Sequence, residues 1–146
     1  MQVNEVMTSS VDVIDPNATI RDAARRMRAD NVGALPVGEN DRLVGMITDR
    51  DIAMRAVAED RAAGTTAVRE VMSEGVAYCY EDDNVEEAAR IMARHQVRRL
   101  PVINRDKRLV GMIALADLAR AGVEAAQQAL EGVSEPTDDP RRYKKA

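Results

Sequence analysis

The chain has no phenylalanine and no tryptophan, and only three tyrosines in 146 residues. Its core must therefore be built from Val, Ile, Leu, Met and Ala, and hydrophobic residues at 45% of the sequence suffice for one. A single cysteine, Cys79, excludes an intramolecular disulfide and fits a reducing cytosol. With His95 the only histidine, one chain lacks the His/Cys set of a zinc site. A Cys–His dyad is formally available, but Cys79 lies in a strand pattern between Tyr78 and Tyr80 and reads as packing. No excess of positive charge exists: the net charge of −4 gives no general reason to bind nucleic acid or an anionic membrane. No run approaches about 18 apolar residues, the length that spans a bilayer. The opening Met1-Gln2-Val3-Asn4-Glu5 also lacks the basic-then-apolar pattern of a signal peptide. There is no glycine-rich phosphate loop. Asp49 and Asp51 are two apart and would not face each other on a continuing helix, which argues against a carboxylate-pair enzyme. These absences point to a cytoplasmic protein without catalytic machinery.

What is present is a repeat. Val6-Met7 is followed by an apolar segment, a helical pattern, Leu35-Pro36-Val37, and Leu43-Val44-Gly45-Met46-Ile47 running into Asp51. Val71-Met72 begins a second pass that ends in Leu100-Pro101-Val102 and Leu109-Val110-Gly111-Met112-Ile113 running into Asp117. The register is 65 residues from Val6 to Val71 and 66 from Asp51 to Asp117, so one residue is inserted between Val102 and Leu109. Each pass must be one structural unit, and a unit this small buries too little surface to stand alone comfortably.

Within each pass the elements can be placed. Val11 and Val13 alternate with Asp12, a half-buried strand pattern across Ser10 to Asp15. Thr19 precedes Asp22 by three, a capping spacing, and Ile20, Ala23, Ala24 and Met27 form one helical face. In the second pass Asn84 and Glu87 are the expected cap, with Val85, Ala88, Ala89 and Met92 as the face. Proline confines the next strand to an edge or an irregular ladder. The near-continuous apolar runs Leu43 to Ile47 and Leu109 to Ile113 suggest strands buried on both sides. Helices open near Asp51 and Asp117. The expected fold is α+β, two β-α-β-β-α repeats each with a leading segment (Val3-Val6, Val68-Met72). The expected boundaries are repeat 1 over 3–57, a connector over 58–67, repeat 2 over 68–123, a helical extension over 124–132 and a disordered tail over 133–146. Met27, Met46, Met92 and Met112 recur in register, as a shared core would require.

These residues closely resemble a tandem pair of CBS domains, the arrangement called a Bateman module. The resemblance rests on the Val-Met before the first strand, the Leu-Pro-Val strand and Gly45-Met46-Ile47-Thr48-Asp49-Arg50-Asp51. Stretches such as Val32-Gly33-Ala34-Leu35-Pro36 and His95-Gln96-Val97-Arg98-Arg99 are similar to small stand-alone bacterial CBS-pair proteins of the hypoxic response protein type. The resemblance implies two copies about a pseudo-two-fold axis with two clefts between them. It also implies binding of adenosine compounds there (AMP, ADP, ATP, S-adenosylmethionine), with none held as a tight cofactor, and pairing into a homodimer. The implied role is regulatory, with an effector in trans.

The same resemblance implies site residues. The aspartate of Thr48-x-x-Asp51 takes the ribose hydroxyls, which suits an acceptor-only carboxylate, and Thr48 lies near ribose or phosphate. The spacing is equally that of a capping box, and the two roles are compatible. Met46, Val76, Tyr78, Val97, Arg98 and Arg99 complete this main cleft, a basic residue at the Arg98 position facing the phosphate. Side chains alternate along a strand, so only one of Arg98 and Arg99 is expected to face the cleft. The second cleft has Ala114 in place of Thr48, leaving Asp117 with Met112, Thr8, Ser10, Val11 and Gly33, none of them a cation. Asp117 reads either as a ribose acceptor or as a solvated acid in a first helical turn. The expectation is one phosphate-competent adenine nucleotide site and one weak, empty or nucleoside-only site. The alternative is an interaction or dimerisation module whose clefts are degenerate.

Overall fold

The computed structural model describes residues 1–134, so the expected tail lies outside the described residues from 135 onward. The chain forms two compact units. Among the described residues, one runs from Asp12 to Val76, and the other joins Met1–Val11 to the chain from Ala77 to Ser134. The first holds α1 (Ile20–Asp30), β1 (Ala34–Glu39), β2 (Arg42–Thr48), α2 (Asp49–Ile52, continuing as a π turn over Ala53–Val57) and a 3-10 turn at Val68–Glu70. The second holds a 3-10 turn at Val3–Glu5, β3 (Cys79–Tyr80), α3 (Val85–His95), β4 (Arg99–Ile103), β5 (Leu109–Ala114), α4 (Leu115–Ala121) and α5 (Val123–Ser134).

The units do not coincide with the repeats as written in sequence, because the leading segments are exchanged. Val68, Val71 and Met72, which open the second repeat, are buried in the core of Ile14, Ile20, Leu35, Val37 and Ile47. Val3, which opens the first, is buried with Val85, Met92, Leu100, Val102 and Ile113. The segments are tied at β2 and β5. Met46 and Ser73 exchange N–H···O=C bonds of 3.0 and 2.9 Å, as Met112 and Thr8 do at 2.9 and 2.8 Å. The glycine in each Gly-Met pair permits this approach. A Cβ on Gly45 would stand 2.7 Å from the Ser73 carbonyl oxygen, and one on Gly111 would stand 2.7 Å from that of Thr8.

The same contacts explain the prolines. β1 pairs antiparallel with β2, and Pro36 faces Met46; β4 pairs with β5, and Pro101 faces Met112. Because Met46 and Met112 spend their backbone groups on Ser73 and Thr8, each proline sits where the antiparallel ladder needs no donor. Both ladders shift register beyond Val37 and Val102, where β2 and β5 carry the extra residue, Val44 in one and Val110 in the other. β4 is nevertheless central, between β3 and β5, since β3 joins it only at Val102 and Ile103, beyond Pro101. The β1–β2 hairpin turns on Asn40 and Asp41, both left-handed at φ 55 and 64, the primed geometry that matches strand twist.

α3 buries its expected face of Val85, Ala88, Ala89 and Met92, whereas α1 buries Ile20, Ala23 and Met27 and leaves Ala24 exposed, since only α3 has a helix, α5, packed over that position. Thr19 Oγ1 accepts from the Asp22 N–H at 3.1 Å, as expected. Asn84 occupies the matching position but its side chain makes no cap bond. Glu87 instead pairs with Arg90, and the Val85 N–H reaches the Met1 carbonyl at 3.0 Å. Three other expectations are corrected. The strand expected across Ser10 to Asp15 shrinks to a single bridge from Ile14 to Val37, with Ile14 buried and Val13 exposed, because Pro36 has no N–H to carry the parallel pairing back toward Val11. β2 and β5 are buried on one face only, Gly45 and Ile47 lying in the core while Leu43, Val44 and Met46 are half-buried. The helical extension expected over 124–132 is present as α5, but it does not continue α4: the chain breaks at Gly122 and α5 starts afresh. Among the described residues no helix is long and apolar enough to cross a membrane.

Candidate functional site

In the first unit, β2 delivers Thr48 to the start of α2. Thr48 Oγ1 accepts from the Asp51 N–H at 3.0 Å, and Asp51 Oδ2 accepts from the Thr48 N–H at 3.0 Å, a reciprocal capping box. This uses one oxygen of Asp51, which is 2% exposed. The other, Oδ1, accepts only a long 3.5 Å bond from Ser73 Oγ. The exchanged leading segment thus brings a hydroxyl to the carboxylate. Arg55 fixes that segment by donating to the carbonyls of Val71 (3.2 Å) and Met72 (3.0 Å). A carboxylate oxygen has two acceptor directions, so Oδ1 retains capacity for a hydroxyl donor.

The second unit repeats the frame and changes its chemistry. Asp117 Oδ2 accepts from the Ala114 N–H at 2.8 Å, but Ala114 returns no side-chain bond, so only half of the box forms. Asp117 is 5% exposed, which overturns the solvated reading. Its second oxygen is paired to the Arg120 guanidinium, one helical turn on. The position of Arg120 in the first repeat is Met54. The expected second cleft had no cation among its residues; Arg120 is that cation, and it engages the aspartate itself.

Of the remaining sequence-predicted residues, Met46 and Val76 share the first unit with Thr48 and Asp51, and both are half-buried. Thr8, Ser10, Val11 and Met112 share the second unit with Asp117. Gly33 belongs to the first unit, where its carbonyl accepts the Asp49 N–H at 2.9 Å. Tyr78, Val97, Arg98 and Arg99 belong to the second unit. Tyr78 meets Tyr80 edge-on with ring centroids 5.7 Å apart. Val97 packs on the core, and Arg98 and Arg99 are both exposed. Arg98 lines a groove of about 450 Å³ with Leu115, Ala119, Ala126 and Leu130. Sequence reasoning missed Ser73 and Arg120. The repeat itself signalled Ser73, since it matches Thr8. The three-residue spacing of Asp117 and Arg120 on a helix signalled the ion pair.

The CBS-domain family model matches residues 3–57 and again 68–124. The chain belongs to the CBS-domain family. As a CBS pair it is 45% identical over 134 residues to the CBS domain-containing protein YhcV of Bacillus subtilis, covering 90% of this chain and 94% of that one. A crystal structure of Hypoxic Response Protein I with two coordinated zinc ions superposes with a TM-score of 0.78 at 35% identity, covering 84% of this chain and all of that one. Among the described residues of this CBS pair, no group of three or more His, Cys, Asp and Glu side chains could hold a metal ion. A crystal structure of CBSX2 in complex with AMP has a TM-score of 0.71 at 27% identity, covering 82% of this chain and 94% of that one. The CBS-pair fold places the expected α+β repeats in a family that includes regulatory nucleotide-binding modules.

Proposed function

We propose that this CBS pair is a non-catalytic sensor that binds one adenine nucleotide through its first repeat and reports it, as a cytoplasmic homodimer, to an effector in trans. The observation that carries the reading is the state of two matched aspartates. Asp51 is buried with an oxygen that holds only a long bond to Ser73, whereas Asp117 has that oxygen neutralised by Arg120. A ribose diol needs the first arrangement: two neighbouring hydroxyls can both donate to an ionised carboxylate. Ionic acceptors of this kind make the stronger class of hydrogen bond. The AMP-bound CBSX2 supports the ligand class. In this reading Met46, Thr48, Ser73 and Val76 surround the ribose, and Tyr78, Val97, Arg98 and Arg99 keep the base-wall and phosphate roles that the resemblance implies. Asp117, Met112, Thr8, Ser10, Val11 and Gly33 form the weaker set.

Titration calorimetry with AMP, ADP and ATP tests this directly. Asp51→Ala should abolish the heat of binding and Asp117→Ala should leave it in place; equal loss from both would sink the asymmetry. Arg98→Ala should weaken AMP while sparing adenosine if its role is to meet phosphate. The competing reading, a docking module with degenerate clefts, draws on the Asp117–Arg120 pair and predicts no ligand at all. A thermal-shift screen separates the two, since a native-state ligand at about 100 times its Kd stabilises by about 2.7 kcal/mol.

A further inference from the structure

Each repeat ends its second helix with an arginine in the last turn, but the two arginines do not stand at matched positions. Arg120 corresponds to Met54, and Arg55 corresponds to Ala121. This offset of one residue sends the guanidinium groups to different places. Arg120, on the regular helix α4, turns back to Asp117, three residues before it. Arg55 lies in the π turn over Ala53–Val57, where the Ala58 N–H reaches back to the Ala53 carbonyl at 3.0 Å. Such turns are rare and recur at functional sites. From it Arg55 Nη1 reaches forward to the exchanged leading segment, donating to the carbonyls of Val71 at 3.2 Å and Met72 at 3.0 Å.

Those two carbonyls immediately precede Ser73, whose own N–H and C=O are held by Met46. The backbone carrying Ser73 is therefore fixed from two directions, and both anchors belong to the first unit. Bonds from a charged donor such as Arg55 are the stronger kind. With the segment so held, Ser73 Oγ stands 3.5 Å from Asp51 Oδ1. Together they offer a donor and an acceptor to one incoming hydroxyl, which can donate to the carboxylate and accept from the serine. The second repeat lacks this arrangement. The carbonyls of Val6 and Met7 correspond to those of Val71 and Met72, and Ala121 has no side chain to reach them. Among the described residues the Thr8 hydroxyl makes no bond to Asp117, whose oxygens go to the Ala114 N–H and Arg120.

We propose that Arg55 is a positioning residue of the first-repeat site: by holding the Val71 and Met72 carbonyls it sets the Ser73 hydroxyl beside Asp51 and leaves the second carboxylate oxygen to a ligand hydroxyl. The inference rests on the reading of Asp51 as the acceptor of a ribose diol. Arg55 makes no contact with the ligand in this account, and its effect passes through Ser73. The place of the arginine along the helix then distinguishes the repeats. A guanidinium directed at the aspartate competes with the diol, and one directed at the leading segment serves it.

Adenosine is the probe, since it carries the diol without a phosphate. Calorimetry compares the full-length parent, Arg55→Met, Ser73→Ala and the double variant. Each single substitution should weaken adenosine about tenfold. The double variant should lose no more than the weaker-binding single one, because the two side chains act on one position. Arg55→Lys, whose ammonium also donates to carbonyls, should recover most of the loss. Additive losses overturn the proposal, as does full affinity in Arg55→Met. Hydrogen exchange in the ligand-free chain supplies a readout that does not depend on the nucleotide. Arg55→Met should speed exchange of the Ser73 N–H and leave the Thr8 and Met112 N–H groups at the parent rate. Equal acceleration at all of them would make Arg55 a support of the whole fold and overturn the positioning role. If the parent takes up no adenosine, the diol reading fails. The hold of Arg55 on Ser73 is then decided by exchange alone, and an unchanged Ser73 rate overturns it.

Discussion

Arg120 is the single side chain that most separates the two aspartates. Its guanidinium is exposed at 71% while the Asp117 carboxylate it holds is 7% exposed, so the pair closes the acceptor from the solvent side. Arg120→Met, which copies Met54 of the first repeat, frees Asp117 without altering the half capping box from Ala114. A second binding event for adenosine should then appear in calorimetry, and Arg120→Met combined with Asp117→Ala should remove it. If the variant binds only as the parent does, Arg120 is not what closes that site. Cys79 offers a different residue-scale prediction. Burial, with repulsion from Asp83 and Glu87, pushes its thiol from the ordinary 9.0 up to about 12. The folded state therefore holds this proton more tightly than the unfolded chain. That contribution is complete below pH 9.0 and is lost as pH rises toward about 12. Urea midpoints should fall more steeply over this interval for the parent than for Cys79→Ala. Thiol reagents at neutral pH should label Cys79 only on unfolding.

At the scale of elements, β2 and β5 depend on glycine for a contact that reaches across the sequence. Gly45→Ala would push a methyl into the Ser73 carbonyl and the Met72 sulfur, and Gly111→Ala would do the same at Thr8 and Met7. Each should cost about 1–3 kcal/mol by overpacking, read from chemical unfolding. Each should also speed hydrogen exchange at its own strand, Met46 and Ser73 in one case and Met112 and Thr8 in the other. Loss confined to the opposite strand would mean the contact is misassigned. These glycines also mark how far sequence reasoning reaches. Helices α1 and α3 and the Leu-Pro-Val strands were legible because their signals are local: apolar spacing, a cap residue, a proline. The leading segments were legible as elements but not by partner, since period and propensity carry no information about which repeat's strand edge a segment will join. The strand expected at Ser10 to Asp15 failed for a related reason: alternation of Val11 and Val13 says nothing about whether the partner edge offers a donor, and Pro36 does not. At the candidate site the capping box was readable from Thr48 and Asp51. Ser73 and Arg120 act through tertiary approach and a helical turn, and only comparing repeats side by side points to them.

For the whole molecule, the exchange decides which stretch of chain can fold as a piece. The segment 12–76 contains every member of its core, from Ile14 through Ile47 to Val68, Val71 and Met72. The segment 3–57, the span matched by the family model, omits those last three and carries instead Val3, which belongs to the other core. Each missing buried side chain forfeits about 1.5–3 kcal/mol of burial. Three of them together match or exceed the few kcal/mol by which a domain this small is stable. Produced separately, 12–76 should show helical circular dichroism with a cooperative melt, and 3–57 should be largely unfolded under the same conditions. Adding the peptide 66–76 in trans to 3–57 should recover helicity in proportion to concentration, since it restores Val68, Val71 and Met72 and the Thr66 carbonyl that accepts the Ile20 N–H at 2.9 Å. Equal stability of the two fragments would show that the exchanged segment is ornamental to the first core. The Asp51 carboxylate would then have to be held in place without the segment that brings Ser73 to it.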